Sequence, residues 1–421
     1  MFWEGRGVRA WVPLLQDRTF LLLWWGQTGS IFGDRVTGFA LPWLVLAQTH
    51  SPLAAGLITA GYALPPLFLG LAAGALADWL PRRRLMIACD LGRALALCAV
   101  VVYGALALAP PLWLLGVLVL ILGTGQLGFQ VAYRAWLPAI MGKSRLGTAY
   151  AALEASDAVS TLVGPTLGGV LVQVIGPALA LGADACSYLF SALTLSRLPI
   201  GVSAAATGNV HGGRVAWIFA GARHIFTTPA QRLLKGCGTI LFLSTGTIDL
   251  LLVILTQLHL RIPASQAGLV SGSAGIGGLV GSVMAPRLLA GGWQRGLART
   301  LPVAALGAGG LAWASLLTSP SGFVVALIAN MVLDGAVSAS FILTTTANAL
   351  TTPSVIQGRV NAAGSMYSAF VRMIGAVSFG AIVRAGDPLP AFMLLFGGFV
   401  AAALAAALFG PRVSSAVPKA I

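Results

Sequence analysis

Charge is what this chain has least of. Asp, Glu, Lys and Arg make up 9% of its 421 residues, against about a quarter in an ordinary soluble domain. So few ionisable groups do not build a water-facing surface, and the apolar runs leave no stretch for a sizeable extramembrane domain. Acid is scarcer still: 11 Asp and Glu against 25 Lys and Arg, a formal net charge of +14. The basic residues form neither one face nor a repeated motif, so no nucleic-acid partner is expected. Cysteine is nearly missing. Cys89, Cys98, Cys186 and Cys237 lie in or beside apolar runs without a CxxC pair, which argues for small apolar core residues rather than disulfides or a metal site. His50, His211, His224 and His259 are scattered, too far apart in sequence for a zinc or catalytic cluster. Gly142-Lys143-Ser144 has the tail of a phosphate-binding loop, but Leu137 stands at its first glycine and no strand precedes it. There is no HExxH and no GxSxG. The expectation is a protein that is not an enzyme and carries no cofactor.

What is present is hydrophobic length. Apolar runs recur near 20–47, 53–77, 84–108, 112–135, 147–174, 178–197, 233–258, 266–290, 299–318, 322–346, 356–383 and 389–410. About 20 apolar residues cross a bilayer as a helix, so twelve transmembrane helices are expected in an all-α integral membrane protein. Pro42 and Pro65-Pro66 should kink the first two. Arg6, Arg9, Arg18, Arg82 to Arg84, Lys143, Arg145, Arg214, Arg223, Arg232, Arg287, Arg295, Arg359, Arg412 and Lys419 fall on one side, while the other holds Arg261 and Arg384. By the positive-inside bias both termini are cytoplasmic, in a bacterial inner membrane. Residues 1–18 read as an uncleaved lead-in with Trp3 and Trp11 at the interface. A loop at 199–232 divides two six-helix bundles, 1–198 and 233–421. Its Val215 to Phe226 segment has the composition of a short interfacial helix.

Between the second and third runs lies Gly74-Ala75-Leu76-Ala77-Asp78-Trp79-Leu80-Pro81-Arg82-Arg83-Arg84, with a faint copy at Gly281 to Arg287 in which Ala285 replaces the aspartate. Glycine, an aspartate four residues on, and a basic cluster four residues after that resemble the signature loop of the major facilitator superfamily. Trp79 and Pro81 depart from its usual residues. Gly164-Pro165-Thr166-Leu167-Gly168-Gly169 in the fifth run is similar to the glycine-proline motif of that family's antiporters. On physics alone, Gly164 and Gly168 share a helix face that lets a neighbour approach, and Pro165 can bend the helix. Leu23-Trp24-Trp25-Gly26-Gln27, Gly33-Asp34-Arg35, Ala40-Leu41-Pro42, Asp90 with Arg93, and Leu137-Pro138-Ala139 resemble the macrolide-efflux and enterobactin-exporter branch. The resemblance covers nearly the whole chain. It implies the major facilitator fold, two bundles rocking about a midplane site lined by spans one, four, seven and ten, and gating by Asp78, Arg82, Arg83, Asp90, Arg93, Gly164 and Pro165.

Charges inside a bilayer need a partner or a wet cavity. Asp34, Asp249 and Asp334 fall on spans one, seven and ten. Burial favours a carboxyl's neutral form and a nearby cation its charged form, so such a group can hold a proton or a cationic substrate but not both well. Fixed pairs with Arg35 or Arg372, or a bond from Asn330 to Asp334, are the plain structural alternatives. Gln126, Gln130 and Arg134 form a polar stripe at four-residue spacing beside Tyr133, for cavity lining or interhelical bonding. Glu154 and Asp157 share a face and read as gate partners for Arg82 to Arg84 or Arg134. Arg372 is a structural partner or a gate residue, and the role of Asp184 is open. The expected function is proton-coupled efflux of small amphipathic compounds by a monomer in the lipid bilayer. A siderophore or lipid exporter of the same fold, and a non-transporting membrane receptor, are the competing readings.

Overall fold

The structure is a computed structural model describing residues 16–70, 81–198, 223–353, 356–383 and 386–414. The described residues are helical throughout, with no β-strand among them. In lipid a helix satisfies every backbone group internally, which an isolated strand does not. The helices are α1 (Arg18–Thr49), α2 (Pro52–Gly61), α3 (Arg82–Ala105), α4 (Leu112–Ile175), α5 (Pro177–Ser196), α6 (Pro229–Ile254), α7 (Ala264–Ala290), α8 (Trp293–Ala314), α9 (Ser321–Thr351), α10 (Gln357–Ile382) and α11 (Leu389–Ser414). One π turn, Leu255–His259, extends α6.

Ten stretches are long and apolar enough to cross a membrane. The helices α1 and α8, of 32 and 22 residues, also have spanning length.

Local chemistry sets the ends. The Asp17 carboxylate accepts from the Thr19 amide at 2.9 Å at the start of α1. Ser51 accepts from the Ala54 amide at 3.2 Å at the start of α2, with Pro52 in the first turn. Gly176, at φ +85°, turns α4 into α5, where Pro177 opens the next helix.

Two expectations shift. The break tied to Pro65-Pro66 falls upstream, at Tyr62 and Ala63, and helix resumes over 64–70. A proline ring crowds the turn preceding it, so the irregular residues lie on its N-terminal side. The loop expected between spans four and five is instead helical, because α4 runs unbroken for 64 residues. At 1.5 Å per residue that is roughly 96 Å, about three bilayer cores, so α4 supplies two spans, Leu112–Arg134 and Thr148–Ile175. Leu137, Met141, Ala149 and Ala152 keep the connecting segment apolar at helical spacing, packed with Phe20, Leu23, Met86 and Trp136. The linker residues 199–222 lie outside the described residues, and helix is present at 223–227.

The chain divides into two compact units, one from residues 1–44 and 64–208 and the other from 45–63 and 209–421. In the first, α3 packs on α4 and α5. In the second, α7, α8 and α9 pack tightly together, α8 also meets α11, and α10 lies against α6 and α2. Glycine permits these approaches. A Cβ on Gly277 or Gly281 would collide with the α9 backbone at Met331 or Gly335, and one on Gly307 would lie 2.6 Å from the Leu333 amide. The faint repeat Gly281 to Arg287 is part of α7, which runs through Pro286.

Candidate functional site

The first unit has a charged interior. Asp90 and Arg93, three residues apart on one face of α3, form an ion pair. They are 0% and 1% exposed. Gly125 on α4 makes room for the guanidinium stem, since a Cβ there would lie 2.7 Å from Arg93 Cγ. Arg93 donates through Nη1 to Gln126 Oε1 at 2.6 Å and through Nη2 to Asp90 Oδ1. Its Nε is buried without a partner. The guanidinium lies 4.0 Å from the centroid of the Tyr188 ring and 5.3 Å from that of Phe129, a cation–π arrangement strengthened by loss of water.

Tyr188 carries the network across to α1, donating its hydroxyl to Asp34 Oδ1. Beside it Asp184 is fully buried and accepts from Thr37 at 2.6 Å and from Ser187 at 3.0 Å. A Cβ on Gly33 would meet the Asp184 backbone at 2.9 Å, so glycine lets α1 and α5 touch here. Three carboxyls thus gather near one guanidinium: Asp90 is ion-paired with it, Asp34 is joined to it through Tyr188, and Asp184 lies one turn before Tyr188 on α5.

Arg35 leaves a different face of α1 from its neighbour Asp34 and pairs with Asp157 of α4 at 2.9 Å. Asp157 had been expected to meet Arg82 to Arg84 or Arg134. Arg35 reaches it because Gly164, two turns further along α4, has no side chain to collide with the Arg35 stem, and Gly168 lies against Val36. Helix continues through Pro165. Arg83 donates to the Leu195 carbonyl at 2.8 Å and to that of Ser196, so it caps α5. Glu154 and Arg134 are exposed. The polar stripe divides: Gln126 bonds Arg93, Gln130 is exposed, and the Tyr133 hydroxyl is buried without a partner while its ring stacks on Phe129 at 6.0 Å. Asp78 and Gly74 lie outside the described residues.

In the second unit the candidate acids stand apart. Asp249 is exposed on α6. Asp334 is half-buried on α9, accepts from Ser338 at 3.4 Å and faces Gly278 of α7. The Asn330 amide instead donates to the Val270 carbonyl at 2.9 Å and to Ser273 at 3.3 Å, because a buried amide facing α7 finds its acceptors there. Arg372 donates to the Ser368 hydroxyl at 3.3 Å and lies 5.9 Å from the Phe242 centroid. A Cβ on Gly246 would lie 2.8 Å from Arg372 Cα, so α6 and α10 meet at this point.

Residues 23–376 match the model of the Major Facilitator Superfamily. The chain belongs to this superfamily. It is 29% identical over 259 residues to the multidrug efflux pump Tap of Mycolicibacterium fortuitum, a match covering 60% of this chain and 62% of that one. It is 30% identical over 189 residues to the uncharacterised MFS-type transporter YfiS of Bacillus subtilis, 44% of each. The matched segments thus span less than two thirds of these relatives. The fold is shared with the nucleoside transporter NupG, at TM-score 0.73 and 13% identity over 92% of this chain and 98% of that one. It is also shared with a bacterial homologue of the iron transporter ferroportin in its inward-facing state, at TM-score 0.72 and 16% identity over 98% and 100%.

The superfamily and these neighbours are transporters, not enzymes. The chain is a multi-pass protein of a bacterial inner membrane. Among its facilitator motifs, the glycine-proline element is the seat of span one at Arg35 and Val36. The sequence reading left Tyr188 unmentioned and Asp184 without a role. The available signal was their four-residue spacing, with Ser187 and Ser191 between and beyond, in an otherwise apolar helix.

Proposed function

We propose that this protein is a proton-coupled exporter of small amphipathic compounds that works by alternating access. The reading is carried by Asp34, a half-buried residue whose carboxyl is tied through Tyr188 to the buried Arg93–Asp90 pair. With Asp34 ionised, the guanidinium serves two carboxylates. A proton on Asp34, or a cationic compound beside it, relieves that competition, and the two exclude one another. Cargo and proton thereby alternate at one group. The name of the Mycolicibacterium relative, a multidrug efflux pump, agrees with amphipathic cargo.

In this proposal Asp249 and Asp334 are the second bundle's proton and substrate groups, and Gln126, Gln130 and Tyr133 serve cargo. Asp78, Arg82, Arg83, Asp90, Arg93, Glu154, Asp157, Gly164, Pro165 and Arg372 govern gating. Twelve spans form bundles at 1–198 and 233–421 joined by 199–232, with both termini cytoplasmic and the protein monomeric.

The deciding measurement is efflux of a dye and drug panel from proteoliposomes under an imposed pH gradient. Wild type transports in response to the gradient. Asp34→Asn retains folding and loses the gradient dependence. Equal transport by both proteins, indifferent to the gradient, removes the proposal.

A further inference from the structure

A groove of about 270 Å³ opens on the first unit between α1 and α5, lined among others by Arg18, Leu22, Trp25, Phe190, Leu193 and Arg197. At that volume it falls short of the roughly 300–1,000 Å³ of pockets that enclose a drug-sized molecule. Its walls are aliphatic and aromatic, and they face outward: Trp25 is 56% exposed, Phe190 45% and Leu193 49%. One end is basic. Arg18 opens α1 and Arg197 directly follows α5, and both are exposed. Among the described residues no acid lines the groove. Asp17, next to Arg18, is engaged elsewhere, capping α1 and pairing with Arg145 at 3.0 Å. Arg83 already satisfies the α5 carbonyls at Leu195 and Ser196, so the two rim arginines are not needed to cap that helix.

We infer that this groove is a binding site for an anionic phospholipid, its phosphate at the Arg18–Arg197 end and one acyl chain along Trp25, Phe190 and Leu193. Charge complementarity and depth argue for this occupant. An apolar channel ending in two guanidiniums matches a molecule that is hydrocarbon along its length and anionic at one end. Arginine suits phosphate oxygens, which its planar fork meets with two donors. The basic end also lies beside Arg83, which bonds the α5 carbonyls just before Arg197, and Arg145, which pairs with Asp17 just before Arg18, where headgroups of the inner leaflet are found if the loop-charge bias sets orientation.

Trp25 makes the site readable. The full-length protein is placed in phosphatidylcholine nanodiscs containing a small share of brominated lipid, and tryptophan quenching is recorded. Brominated phosphatidylglycerol should quench more than the same share of brominated phosphatidylcholine, and Trp25→Phe should remove the difference. Arg18→Gln with Arg197→Gln should lower the preference by roughly five-fold per arginine, while Arg18→Lys with Arg197→Lys retains most of it. Excess inorganic phosphate should leave it intact. Equal quenching by the two lipids in wild type overturns the proposal, as does a preference that survives Trp25→Phe or the glutamine pair. Relief by inorganic phosphate alone also overturns it, in favour of a soluble-phosphate site. Trp25→Phe keeps both arginines and so decides the location even where the glutamine pair does not fold.

Discussion

The two units share close glycine contacts but differ in what else lies between their helices. The first places a charged, hydrogen-bonded set at its centre: Asp90, Arg93, Gln126, Tyr188, Asp34 and Asp184 tie α1, α3, α4 and α5 together. The second brings α7, α8 and α9 so close that several glycines have no space for a methyl group. Lipid tails offer helices no hydrophobic reason to associate, so association rests on dispersion at close range or on polar bonds. The second unit leans on the former and the first adds the latter. The lesson is a difference in what the packing must accommodate: buried charge with its partners in the first unit, close backbone approach in the second.

Breaking the polar core should have the largest effect. Arg93→Met leaves Asp90 buried without its cation, and removal of one partner of a buried pair destabilises by about 3–5 kcal/mol. Thermal unfolding of the purified protein should show it, with partial recovery in Asp90→Asn/Arg93→Met. Arg372→Met in the second unit, an exposed residue in contact with Ser368 and Phe242, should cost under about 1 kcal/mol. Equal losses at the two arginines would erase the contrast between the units.

The glycine seam comes next. Gly277→Val forces α7 away from α9 and should destabilise by about 1–3 kcal/mol, read as a lowered melting temperature. Gly92 on α3 has open space around its Cβ position, so Gly92→Ala should be neutral or stabilise by about 0.5–1 kcal/mol. A severe loss at Gly92 would show that the space around a glycine's Cβ position does not decide its cost in this protein.

The smallest expected change sharpens the division. Tyr188→Phe keeps the ring over Arg93 and removes the hydroxyl that bonds Asp34. Stability should fall by about 1 kcal/mol. Gradient-driven efflux should change more than binding of the same dye, because the hydroxyl links Asp34 to the pair without being needed to bury it. Unchanged coupling would place Asp34 outside the network.

Much of this was legible in residue order. The runs of apolar residues, the helix-starting Pro177 after Gly176, the Gly164–Gly168 face and the antiporter-like motif all act within a few residues of themselves, and the facilitator family followed from them. The pairing of Asp90 with Arg93 was available as an i, i+3 spacing. The partners of Asp34, Arg35 and Asn330 were not. Each lies on another helix, more than 50 residues away in sequence. The helical connection inside α4 was also hidden, because Lys143 and Arg145 read as a loop while Leu137, Met141 and Ala149 packed as helix.

The sequence by itself determined that the chain lives in lipid, that its segments are helices, and which family they belong to. Those properties depend on the energy of transferring each segment out of water and on hydrogen bonds within it. Only the tertiary structure decided that Tyr188 links Asp34 to the Arg93–Asp90 pair, that Asp157 belongs to Arg35, and that α1 and α5 enclose a basic-ended groove. These depend on which helix faces meet, and that is set by packing over the whole unit.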